Sequence, residues 1–195
     1  MTKKWTVIGV VFLTIVLMTI GCQKKESTKE EVYQDFQKKI YKMKGYTCKA
    51  KVTVAGNKSP QVYEFSHSYN RPDNYRLEAI SPEYIRGKMI EYKGDKVFVK
   101  NPKINDVVEL PNEGKKDQYL FIGDFIKNYL QNEEVKVNLS HGNLVLETKI
   151  PGDTKYFNTQ VLYVNSETRN PVKLEIKDDQ GKSRFVVDYS EFKIH

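Results

Sequence analysis

From residue 46 onward the chain alternates. Tyr46, Cys48, Ala50, Val52 and Val54 fall on one parity, and Thr47, Lys49, Lys51 and Thr53 on the other. A period of two belongs to a strand with one face buried and the other in water. The pattern returns at 62–69, 74–79, 89–92, 96–99 and 106–110, then at 135–139, 144–150, 157–164, 172–177 and 183–192. Between the runs lie Asn70-Arg71-Pro72-Asp73, Lys93-Gly94-Asp95, Asn101-Pro102, His141-Gly142-Asn143, Pro151-Gly152-Asp153 and Asp178-Asp179-Gln180-Gly181, residues that tolerate tight bends. The reading is ten or eleven short antiparallel strands, and a sheet that long must curl.

Two stretches break the alternation with helical spacing. Thr28 and Glu31 have the capping-box separation, and Val32, Tyr33, Phe36, Ile40 and Met43 then give one apolar face, with Gly45 expected to end the helix. From Tyr119 to Gln131, Leu120, Phe121, Phe125, Ile126, Tyr129 and Leu130 are placed to pack on a sheet, with Gly123 in the first turn. The expected fold is mainly β with two or three helices: a curled antiparallel sheet forming an open, incomplete barrel, its helices over the concave face. Such a groove is a place to bind something apolar and does not itself imply chemistry. No Gly-Ser linker or internal repeat divides 29–195, which is read as a single domain.

The N-terminus carries an address. Lys3 and Lys4 precede an uncharged run from Trp5 to Ile20, and Gly21-Cys22 is followed at once by Gln23-Lys24-Lys25-Glu26. Sixteen residues fall short of the ~20 a spanning helix needs, and the pattern resembles a bacterial lipobox, with Thr19 where Leu is commoner. The resemblance implies a signal peptide at 1–21, diacylglycerol on the Cys22 thiol, a tether at 22–28 and attachment to the outer face of a membrane. An uncleaved signal anchor is the alternative, and both place the rest of the chain outside the cytoplasm. Cys48 is then the one remaining cysteine, read as a core thiol.

The net charge of +7 comes from 32 Lys and Arg against 25 Asp and Glu, but only five of the cations are Arg and the lysines are scattered among acids. That describes a solvated surface with a weak preference for anionic membrane or wall polymer, not a nucleic-acid site. The histidines, His67, His141 and His195, have no second ligand at metal spacing, and no nucleophile elbow or phosphate-binding glycine loop is present. Glu133-Glu134 and Asp178-Asp179 are adjacent loop acids, unlike opposed catalytic carboxylates. Catalytic, cofactor and metal residues are therefore expected to be none, apart from the covalent lipid on Cys22. The 13 tyrosines are read as amphipathic rings on sheet faces and groove rims.

Four segments carry a likeness. They are the opening helix with Tyr46-Thr47-Cys48-Lys49-Ala50-Lys51-Val52; Arg71-Pro72-Asp73-Asn74-Tyr75-Arg76-Leu77-Glu78; Glu91-Tyr92-Lys93-Gly94-Asp95-Lys96-Val97-Phe98-Val99 to Pro102; and Val164-Asn165-Ser166-Glu167-Thr168-Arg169-Asn170-Pro171-Val172-Lys173-Leu174. Together they resemble the LolA/LolB-like lipoprotein-localisation family and its Gram-positive lipoprotein relatives, nearest to germination lipoproteins of the GerS type in spore-forming clostridia. In this reading Arg71 and Arg76 lie on the solvent side of their strands. The resemblance implies a lipoprotein of the intermembrane space of the developing spore. Such a protein binds and activates a cortex amidase of the CwlD type in the route to muramic-δ-lactam, and zinc and catalytic groups belong to the partner. A lipid or lipoprotein carrier with acyl chains in the groove is the alternative, and a sensor of membrane or wall state shares the fold. Sheet edges also suit a homodimer. The parity that faces inward stays open, because a one-residue shift of register exchanges the faces.

Overall fold

A computed structural model describes residues 27–55, 59–72, 74–104, 106–111, 121–132, 134–152 and 155–195. The expected signal peptide at 1–21, Cys22, most of the expected tether, and the Tyr119-Leu120 start expected for the second helix lie outside these residues.

Helix α1 (Lys29–Lys42) opens on the expected capping box. The Thr28 hydroxyl accepts from the Glu31 N–H at 3.2 Å, and the Glu31 carboxylate accepts from the Thr28 N–H at 3.0 Å. Val32, Phe36 and Ile40 form its buried stripe. The helix ends at Lys42, Met43 is already extended, and Gly45 is the first residue of a strand, not the helix terminator expected. Glycine is required there for another reason: a Cβ on Gly45 would stand 2.3 Å from the Tyr69 carbonyl oxygen.

The strands are β1 (Gly45–Val54), β2 (Gln61–Asn70), β3 (Asn74–Ser81), β4 (Met89–Lys93), β5 (Lys96–Asn101), β6 (Asp106–Pro111), β7 (Lys136–Ser140), β8 (Asn143–Lys149), β9 (Thr159–Asn165), β10 (Pro171–Lys177) and β11 (Ser183–Ile194), with a 3₁₀ turn at Glu83–Ile85 and helix α2 (Ile122–Gln131) between β6 and β7. All eleven form one antiparallel sheet ordered β6-β5-β4-β3-β2-β1-β11-β10-β9-β8-β7. It is not closed into a barrel, because β6 and β7 end the order without pairing with each other. Two meanders therefore meet in the middle, where β1 pairs with β11, Val52 opposite Val187. Gly94, at φ 58°, takes the left-handed conformation that the tight β4–β5 turn demands.

The register settles the faces. Tyr46, Cys48, Ala50 and Val52 point into the core with His67, Tyr69, Tyr75 and Leu77 on one side, and Leu144, Leu146, Leu162, Leu174 and Val187 on the other. The stripe of α1 and the inner face of α2 join the same cluster. Full burial of each large apolar side chain contributes about 1.5–3 kcal/mol.

Two local expectations need correction. Leu130 was expected on the sheet but is 72% exposed, since the inward face of α2 is already taken by Phe125 and Ile126. Arg71 and Arg76 are both exposed, as read; the Arg71 guanidinium also donates to the Ile40 carbonyl at 2.9 Å, satisfying the end of α1, and Arg76 pairs with Glu78. The strand expected from 157 begins at Thr159, because Phe157 turns to stack on Phe185, with ring centres 5.4 Å apart.

Candidate partner-binding surface

Beneath the start of α2, the space between sheet and helix is filled by the chain's own rings. Phe121, just ahead of α2, lies 4.7 Å from both the His67 and the Tyr75 ring. Tyr69 packs 4.9 Å from Tyr75 and 5.6 Å from Tyr46, and Tyr46 stacks on Phe192 at 4.9 Å. Tyr46 also stands in for a helix cap, its hydroxyl accepting the Ile122 N–H at 3.1 Å. Asn128 donates to Gln160 at 2.9 Å and Asn132 to Thr148 at 2.9 Å, so α2 is fixed to β8 and β9 by polar bolts as well as by packing.

Within this interior His67 is fully buried, and neither ring nitrogen has a hydrogen-bond partner among the described residues. Desolvation lowers its pKa to about 3, so the imidazole is neutral. Burial pushes the Cys48 thiol up, making it an inert core group as expected. His141 sits in an exposed turn, and His195 closes the C-terminus against Asn70 at 3.0 Å. Among the described residues no group of three or more His, Cys, Asp or Glu is placed to hold a metal ion.

The loop between β9 and β10 is clamped to α1. Lys39 donates to the Thr168 carbonyl at 2.9 Å and to Asn170 at 2.6 Å, and Arg169 pairs with Asp35 at 3.1 Å. Desolvation, then the nearby Arg169 charge, lowers the Lys39 pKa. On the other side α1 meets α2 through the Tyr33 and Tyr129 hydroxyls. Below that contact the helices part, leaving an apolar cleft of about 370 Å³. Phe36, Ile40, Phe125 and Ile126 line it, and Lys38, Lys42 and Arg71 are its charged neighbours.

A second exposed region is the β4–β6 arm. Cross-strand pairing puts Ile90, Val99 and Val108 in one row and Tyr92, Val97 and Leu110 in the next, on the face that is core further along the sheet. At the end of the arm Val108 and Leu110 are each 46% exposed, on an edge strand whose outer hydrogen-bonding row faces no other strand among the described residues. An apolar face beside an open edge is a surface that can accept a partner. Sequence reading named no interface residue. The β6 face was latent in the parity of 106–110, whereas the cleft was not, because Tyr41 lies outside the α1 stripe and Leu130, though counted in the α2 stripe, turns out to solvent.

Comparison with known proteins places this architecture. The family model described as sporulation protein YdcC-like matches residues 2–195. The chain belongs to this family. Sporulation protein YdcC of Bacillus subtilis (strain 168) is 23% identical over 186 residues, covering 94% of this chain and 54% of the relative, so the chain spans about half the length of that curated protein. In the structure of the CwlD amidase from Clostridioides difficile in complex with the GerS lipoprotein, the matching chain is 63% identical. It aligns with 89% of this chain over its full length, with a TM-score of 0.57. The LolA superfamily protein NE2245 from Nitrosomonas europaea matches 87% of this chain and 94% of its own at 15% identity, with a TM-score of 0.44. The GerS-type likeness read from short segments is thus borne out at the level of whole-chain similarity.

Proposed function

We propose that this chain is a non-catalytic, membrane-tethered partner of a CwlD-type N-acetylmuramoyl-L-alanine amidase. It would act outside the cytoplasm, in the intermembrane space of the developing spore, where it binds the amidase and supports its activity toward muramic-δ-lactam. The observation that carries this reading is the 63% identity to a chain of the GerS–CwlD complex over that chain's whole length. The packing supports it too: Phe121, Tyr75 and His67 fill the space beneath the start of α2, so acyl chains would be left only the α1–α2 cleft of about 370 Å³. The arm β4–β6 offers the amidase an apolar face and an edge that is unpaired among the described residues. The same edge also suits a homodimer by strand addition.

The test is native mass spectrometry of the chain mixed with the amidase from the same organism. A mixed-chain complex is expected, and replacing Val108 and Leu110 together with Asp should weaken it at least about tenfold without lowering the melting temperature, because both side chains are already half in water. Absence of any complex, with acyl-chain mass on the protein alone, would transfer the assignment to a lipid carrier.

The tether has its own test. Cys22→Ser should move the chain from the membrane to the soluble fraction with its melting curve unchanged. A variant still embedded would make Trp5 to Ile20 an uncleaved anchor.

A further inference from the structure

The α1–α2 cleft has a mouth unlike the rest of the surface. Tyr41 is 84% exposed and Leu130 72% exposed, and both line the cleft. The charged groups around it are all cationic: Lys38, Lys42 and Arg71, with no acid among the lining residues. Charge is polarised along α1. Glu30, Glu31 and Asp35 occupy its first half, Asp35 pairing with Arg169 at 3.1 Å and, more loosely at 4.0 Å, with the exposed Lys38, and from Lys38 to Lys44 there are four lysines and no acid. An amphipathic ring and an aliphatic tip projecting between lysines form the combination that settles at the boundary of headgroups and acyl chains on an anionic bilayer.

The chain preceding the helix favours this occupant over another. The apolar run Trp5 to Ile20 and Cys22 precede α1, and the six residues 23–28 span at most about 20 Å. The 14-residue α1 is about 21 Å long, so a membrane holding the chain at or before residue 22 lies within reach of Tyr41. We propose that the mouth of the α1–α2 cleft is a bilayer-docking face, with Tyr41 and Leu130 entering the interface and Lys38 and Lys42 set against the phosphates of anionic lipids. The domain is then held in a fixed orientation at the membrane instead of swinging on its tether. This inference does not depend on the amidase.

Hydroxyl-radical footprinting of the full chain, reconstituted in vesicles and read by mass spectrometry, tests it. In phosphatidylcholine containing about one third phosphatidylglycerol, oxidation of Tyr41 and Leu130 should fall about fivefold relative to phosphatidylcholine alone. Tyr84 and Tyr156, exposed elsewhere, should not change and serve as internal controls. Lys38→Glu combined with Lys42→Glu should restore oxidation at Tyr41, again without change at Tyr84. Equal oxidation of Tyr41 in the two vesicle types would overturn the proposal. So would protection that appears only when the amidase is added, which would make the cleft a protein interface, or protection in both vesicle types with lipid mass retained after extraction, which would make it an acyl-chain site.

Discussion

Unfolding free energy should fall by roughly 2–3 kcal/mol between pH 7 and pH 4.5 through His67 alone, two pH units below the ordinary histidine pKa. The native imidazole keeps a pKa of about 3, whereas in the unfolded chain it protonates below about 6.5. Across that window the unfolded state binds a proton that the native state refuses. Stability is therefore present above pH 6.5 and is lost progressively as pH falls toward 3, reaching about 5 kcal/mol. The groups facing the ring offer it no counter-charge: Phe121, Phe65 and Tyr189 surround it, and Cys48 lies opposite on β1 with its thiol held protonated by burial. Chemical denaturation of the native sequence and of His67→Phe at a series of pH values isolates the effect. Other acids contribute equally to both, so the difference between the curves belongs to residue 67. Parallel curves would mean that water or a polar group reaches the imidazole.

Gly45→Ala should cost about 3–5 kcal/mol, roughly 10 °C in melting temperature. The added carbon meets the backbone oxygen of Tyr69 at 2.3 Å, with the Asn70 and His195 side chains at 2.7 Å. A carbonyl in a paired strand cannot rotate away as a flexible side-chain end would, so β1 must separate from β2 at its first residue. Four connections converge there: the Lys44 and Gly45 N–H groups both donate to the His195 carbonyl, the His195 N–H donates to the Gly45 carbonyl, and the Arg71 N–H donates to the Lys44 carbonyl. Gly142→Ala is the control. It has open space around its Cβ position and a φ of 71°, so it reports only the left-handed backbone cost of about 1–2 kcal/mol. Thermal melts of the two variants separate crowding from conformational preference. A Gly45→Ala protein no less stable than Gly142→Ala would show that the helix-to-strand junction is looser than its distances indicate.

The strands were legible because each carries its own alternation, and α1 because Thr28 and Glu31 announce it. Gly45 was misassigned because a glycine after an apolar stripe signals a helix end by local rules, while its reason for being glycine lies in Tyr69, a neighbour only in space. The bond that Arg71 makes was hidden for the same cause: the carbonyl it satisfies belongs to Ile40, on another element. His67 could have been placed inside, since it shares parity with Phe65 and Tyr69, but parity alone does not say which face of β2 is the core. The β4–β6 arm shows the limit of pattern: Val108 and Leu110 alternate like core residues, yet the sheet runs on past the helices that would cover them. The cleft depends on how α1 and α2 diverge, which no periodicity within either helix encodes.

The pairing of β1 with β11 has a consequence for how the chain is made. Each meander grows by hairpins between neighbours in sequence, but the central seam joins the first strand to the last. As the polypeptide emerges from its N-terminus, β1 through β6 can assemble while one side of β1 still has its hydrogen-bonding groups open. That side is closed only when the final twelve-residue strand arrives. The seam is thus the slow, non-local step of assembly, and a chain halted before Ser183 would carry its longest raw edge through the middle of what should be its core.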